Sequence, residues 1–245
     1  IVQSTYEYIE YYATKYQLLN TAVALELARG LHNGVYRKSP YIRNGVKYKL
    51  PYLIHPLSVT RMLMELHIPM SREEEDILLA AALCHDMIED VPFENGGKEL
   101  YTKFKLDKRV YDTVLLVSKR KDFTPEQEQE HFNMIQANEL ALLVKLSDRG
   151  NNVEDLYNRS VKKVHEYIEE TNKYFIPMCQ YALNNYYERE RTFELLQDKI
   201  IGLTEAAEIL VDRYSEQELE LQKQVDALRE ENEKLRAEWK ALWEE

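Results

Sequence analysis

The segment CHDMIED at residues 84–90 constrains this chain more than any other, because it sets four ionisable groups against the end of an apolar run. Residues 77–84 read as a buried helix. His85, Asp86, Glu89 and Asp90 follow at the three-to-four-residue spacing that puts side chains on one helical face. The spacing predicts one helix running into Asp90 and ending before Pro92. Burying such a group is costly unless partners or a cation compensate it. The fold must therefore leave this helix end in solvent or build a site around it.

Two further segments have the same character: His55 within PYLIHP, and Asp148 within ALLVKLSDRGNN. Taken singly, His55 suits a helix-capping or core histidine, and Asp148 suits an ion pair with Lys145 or Arg149. Taken together, the three segments supply two imidazoles and two carboxylates. Such a set suits Mn²⁺, Fe²⁺ or Mg²⁺ with positions open for water and phosphate, more than a thiolate-rich zinc site. The two cysteines, Cys84 and Cys179, provide no disulfide framework, which points to a reducing, cytoplasmic setting.

Only seven glycines and seven prolines interrupt the 245 residues, so long helices are favoured over many short strands, and an all-α fold is expected. Helical apolar spacing covers residues 5–32, closing at Asn33-Gly34. Pro56 suits the first turn of a helix reaching about Leu66, and Ser71 before Glu73, Glu74 and Glu75 reads as a helix start. Residues 39–51, with two prolines and Asn44-Gly45, read as a loop that serves as a lid or an ornament. Shorter helical patterns follow at 98–104 and 108–118, another begins near Glu126 and breaks near Asn138, and 139–158 and 161–187 complete the set. The net charge of −11 opposes nucleic acid or an anionic membrane as the main partner. No apolar run approaches the roughly 20 residues that span a bilayer, and no membrane targeting is expected.

From about Ala207 the composition turns to Glu, Lys, Gln, Arg and Leu, with apolar residues alternately four and three apart: Leu221, Val225, Leu228, Leu235, Trp239 and Leu242. This is a heptad seam with Asn232 at an a position, a pattern that fixes register and favours a parallel homodimer. Glu231 and Arg236 fall at g and the following e, placed to pair across it. A surface helix folding back on its own domain is the alternative. The expected organisation is a helical bundle over 1–190 and a C-terminal coiled-coil helix over 191–245.

The segments LARGLHNGVYRKS, PYLIHPLSVTRML, LAAALCHDMIEDV, VYDTVLLVSK, LLVKLSDRGNN and ETNKYFIP, in this order, resemble the hydrolase domain of the RelA/SpoT homologue family within the HD superfamily. The likeness runs over about residues 5–185. It implies an all-α domain that uses Mn²⁺ to remove the 3′-pyrophosphate from the alarmones ppGpp and pppGpp. The family's metal ligands fall on His55, His85, Asp86 and Asp148. Glu89 and Asp90 take the role of orienting or deprotonating the attacking water. Arg37 and Lys38 match positions that hold the pyrophosphate or the guanosine end, and Asn152 matches a residue near the nucleotide. Read without the resemblance, Arg37 and Lys38 are a solvated basic pair beside a loop, and Gly150-Asn151-Asn152 is a turn that interrupts its helix.

The chain also departs from the family. After Asp148 the family has Arg-Leu-His-Asn-Met-Arg-Thr, whereas residues 149–155 read Arg-Gly-Asn-Asn-Val-Glu-Asp. Glu154 and Asp155 must be turned away or bridged by a cation if a pyrophosphate lies near them. Phe175 stands where the family has tyrosine, and the segment between Lys38 and His55 is longer. Nothing after residue 187 resembles a nucleotide-synthesising domain, so hydrolysis alone is expected, as in small stand-alone alarmone hydrolases. The alternatives are an HD hydrolase of another phosphorylated nucleotide, such as NADPH or a cyclic dinucleotide, and a non-catalytic scaffold that senses a nucleotide.

Overall fold

The computed structural model describes residues 2–37, 41–43, 46–119, 122–156 and 159–244. Two antiparallel helices begin the chain, α1 (Val2–Tyr16) and α2 (Leu19–Leu31). A small hairpin follows, with β1 (Tyr41–Arg43) paired to β2 (Val46–Tyr48) and an isolated bridge between Tyr36 and Pro51. Here the expectation of a loop over 39–51 is corrected. Strands of three residues are too short to show a period, and backbone pairing satisfies their polar groups.

The central layer is α3 (Ile54–Glu65), α4 (Arg72–Cys84), α7 (Lys108–Val117) and α9 (Glu139–Glu154), with α2 packed along α4. Between α4 and α7 lie two short helices, α5 (Met87–Asp90) and α6 (Glu99–Thr102). α8 (Pro125–Gln136) and α10 (Val161–Glu170) complete the flank. One π-helical turn (Thr171–Phe175) then leads into α11 (Ile176–Asn185), and a 3₁₀ turn (Tyr187–Arg189) into α12 (Glu190–Glu244). The main core draws on both α1 and α12, and in it Ile77 to Cys84, Leu142 to Val144, Phe175 and Phe193 are all within 1% of complete burial, while Val164 and Ile168 of α10 join Val153, Leu156, Ala207 and Val211 in a second, smaller cluster.

Sequence chemistry sets the key boundaries. Ser71 and Glu74 form a reciprocal capping box at the start of α4, with Glu74 N to Ser71 Oγ at 3.2 Å and Ser71 N to Glu74 Oε2 at 3.0 Å. Asp76, buried one turn later, accepts from Asn20 and Thr21 and so ties the start of α2 to α4. The expected single helix to Asp90 is not continuous. It breaks at His85-Asp86, a turn from which the Asp86 carbonyl starts α5 by accepting from Glu89 and Asp90. By contrast, α9 runs without interruption through Gly150, Asn151 and Asn152, which excludes the turn there.

α12 carries one stripe of residues throughout its length. Phe193, Ile200, Ala207 and Val211 bury it against α9, α10 and α11. In the same heptad phase, Tyr214, Leu221, Val225, Leu228 and Leu235 are 41–64% exposed. No helix among the described residues is long and apolar enough to cross a membrane.

Candidate active site

His55 lies in the first turn of α3, His85 and Asp86 form the break between α4 and α5, and Asp148 stands on α9. Their reactive atoms converge. His55 Nε2 lies 3.2 Å from His85 Nε2, 3.1 Å from Asp148 Oδ1 and 3.6 Å from Asp86 Oδ2. His85 Nε2 lies 3.1 Å from Asp86 Oδ2 and 3.6 Å from Asp148 Oδ1.

The other ring nitrogens are committed. His85 Nδ1 is 2.8 Å from the Ala82 carbonyl, and His55 Nδ1 is 2.7 Å from Asn151 Oδ1. Both partners only accept, so each ring keeps a hydrogen on Nδ1 and turns its Nε2, a lone pair when the ring is neutral, toward the other. Two lone pairs at 3.2 Å beside two carboxylates require a proton or a cation among them. Atoms held about 2.1 Å from an octahedral ion stand roughly 3 Å apart, and the separations here fit such an ion. His55, His85 and Asp148 form the group of residues that could hold a metal among those described, with Asp86 beside it.

The charges respond to this crowding. Burial alone would lower the His85 pKa, but Asp86 and Asp148 hold it well above the usual imidazole value. Burial would raise Asp148 and Asp86, yet the two imidazoles keep both carboxyls well below their usual range. Asp86 also accepts from the Tyr52 hydroxyl, and Asp148 Oδ1 accepts from Asn152 Nδ2 at 2.6 Å. Burial, then the Asp86 charge, push the Tyr52 hydroxyl far above its usual pKa.

A cleft of about 500 Å³ opens over these residues. Glu89 and Asp90 line it from α5. Glu89 Oε1 accepts from the Lys119 backbone at 2.6 Å, while burial raises its carboxyl above the usual range. Arg37 reaches the cleft and pairs with Asp155 at 3.1 Å. Lys38 lies outside the described residues. Asn152 lines the cleft, with its amide engaged by Asp148. Neither expected ion pair of Asp148 forms: Lys145 Nζ donates to the Val117 carbonyl, and Arg149 pairs with Glu170.

Several cleft residues were not among the site residues expected from the sequence. Lys119, Lys145, Arg149 and Arg159 add four cations, and His32, Tyr52 and Tyr167 add rings. Three-residue spacing from a candidate ligand was the available signal for Tyr52 and for Asn151. Tyr52 precedes His55 by three residues, and Asn151 follows Asp148 by three. The cations had no such signal in a chain that is 31% charged.

Residues 52–152 match the HD domain family. Over 159 residues the chain is 30% identical to a guanosine-3′,5′-bis(diphosphate) 3′-pyrophosphohydrolase of Haemophilus influenzae, covering 62% of this chain and 21% of that protein. A protein of the same name from Aquifex aeolicus is 31% identical over 133 residues, covering 53% of this chain and 18% of its own length. The chain thus spans about a fifth of the length of these curated relatives.

Proposed function

We propose that this chain, which matches the HD domain over residues 52–152 and is similar to two guanosine-3′,5′-bis(diphosphate) 3′-pyrophosphohydrolases, is an HD-type hydrolase that removes the 3′-pyrophosphate from ppGpp and pppGpp with a divalent cation, Mn²⁺ before Mg²⁺ or Fe²⁺. The observation that carries this reading is the meeting of two imidazole Nε2 atoms with two carboxylates at a cation-lined cleft. His55, His85, Asp86 and Asp148 are the proposed ligands. A cation bound by them supplies Lewis acidity toward a phosphoryl oxygen and acidifies water.

The chain's own groups have the remaining roles. Glu89, with its raised pKa, accepts the proton of the attacking water, and Asp90 orients that water. Lys119, Lys145, Arg149 and Arg159 offset the substrate's charge within a chain of net charge −11. Arg37 and Lys38 are proposed to contact the phosphates, and Asn152 lies at the nucleotide's edge while orienting Asp148. The seam of α12 is proposed to join two copies as a parallel homodimer, in the cytoplasm.

Pure protein incubated with Mn²⁺ and ppGpp is expected to release pyrophosphate. His85→Ala abolishes this release, and Arg229→Ala, on the exposed part of α12, does not. Absence of release from the unaltered protein overturns the alarmone reading. One observation favours a second substrate: Asp155 already occupies Arg37, so a nucleotide without a 3′-pyrophosphate loses less by that pairing. A panel including NADPH and cyclic dinucleotides separates the two, and binding without turnover of any of them identifies a sensor instead.

A further inference from the structure

The two carboxylates that depart from the family pattern are both engaged, and one of them leads back to the metal centre. Asn151 stands between His55 and Glu154, with its Oδ1 2.7 Å from His55 Nδ1 and its Nδ2 3.0 Å from Glu154 Oε2. Glu154 in turn pairs with Lys199, which belongs to α12. Gly150 contributes as well. A Cβ there would lie 3.5 Å from both Lys199 Cδ and Met62 Sδ, so a side chain of the family's leucine size would crowd the lysine stem.

The direction of these hydrogen bonds is forced. Glu154 only accepts, so Asn151 turns its NH₂ outward and its carbonyl inward. That carbonyl also only accepts, so His55 keeps its hydrogen on Nδ1 and offers Nε2 as a lone pair. We infer that Asn151 and Glu154 are positioning residues that select the ligating tautomer of His55, and that Lys199 holds their outer end from α12. The inference rests on the reading of His55 as a metal ligand. It assigns Glu154 a function in the site even though the residue lies outside the cleft.

Glu154→Lys tests it, because an ammonium only donates and turns the Asn151 amide around, bringing NH₂ against His55 Nδ1. In metal-free protein with the rings deprotonated, ¹⁵N histidine spectra are expected to move His55 from the Nδ1–H to the Nε2–H tautomer. Mn²⁺ affinity, read by the paramagnetic resonance of free Mn²⁺, is expected to fall about 10–100-fold, the usual effect of losing a ligand's hydrogen-bond partner. Glu154→Gln still presents an acceptor and is expected to stay close to the unaltered protein.

The exchange Glu154→Lys with Lys199→Glu separates positioning from simple cohesion. It restores the ion pair with reversed polarity, so the melting temperature is expected to recover while the tautomer and Mn²⁺ affinity do not. Recovery of affinity in the exchange, or an unchanged tautomer in Glu154→Lys, overturns the inference. If the unaltered protein binds no Mn²⁺, the metal reading fails, whereas the metal-free spectra still decide whether the relay sets the tautomer.

Discussion

Replacing Asp148 by asparagine keeps the side chain's volume while removing the charge that His55 and His85 share. Mn²⁺ affinity is expected to fall by at least about 100-fold, beyond the loss of an outer partner, and calorimetric titration measures it. Undiminished affinity excludes Asp148 from the ligands. A different carboxylate, Glu170, contributes to acid stability. Burial favours protonation of Glu170, but Arg149 and then Lys119 outweigh it, and the carboxyl lies below its usual range. Folding therefore weakens proton binding at Glu170. Its contribution is complete above the ordinary carboxylate pKa and is lost as pH falls through the depressed folded value. Glu170→Gln should flatten that part of the acid limb and cost about 1–3 kcal/mol at neutral pH, as urea titrations across pH would report. At this scale the sequence was informative where a polar residue interrupts an apolar run, as at His55, His85 and Asp148. Glu170 and Arg149 show no such contrast, since only the fold brings α10 against α9.

The short helix α5 gives the clearest test of how an element sets the chemistry. Gly97, after α5, adopts φ +83°, and a Cβ there would meet Ile88 Cγ1 at 2.6 Å. Gly97→Ala is expected to destabilise the fold by about 1–3 kcal/mol and to slow turnover by displacing Ile88, the neighbour of Glu89. Gly96→Ala is the natural comparison, because it shares a positive φ but has no atoms within 4 Å of the added carbon. Its stability loss should come from backbone strain alone, with turnover retained. Equal turnover losses would show that Ile88 does not hold Glu89 in place. Helix starts were legible in Ser71 and in Pro56 because the chemistry of a first turn is local. The break at His85-Asp86 was not, since apolar spacing continues across it and the convergence of side chains from α3 and α9 is invisible in one segment. The hairpin was missed for a related reason: each strand covers only three residues.

Across the whole molecule, α12 serves both the core and an uncovered surface. The heptads were readable in sequence, but their register with the buried half, from Phe193 to Val211, emerges only when the helix is seen packed. If the uncovered seam joins two copies, sedimentation equilibrium will find a dimer, and Leu221→Asp combined with Leu228→Asp will give a monomer with the melting of the helical body preserved. A monomeric unaltered protein would show that the seam has no partner in its own kind. Isolated helices are marginal because their first turn is costly to form, whereas elongation is nearly neutral. In α12 the packed half supplies that first turn permanently, so the distal half extends from a template. Its amides should therefore exchange hydrogen in a gradient, fastest at the far end, and that gradient should flatten as protein concentration rises, making the free end of one helix a gauge of how many partners it has found.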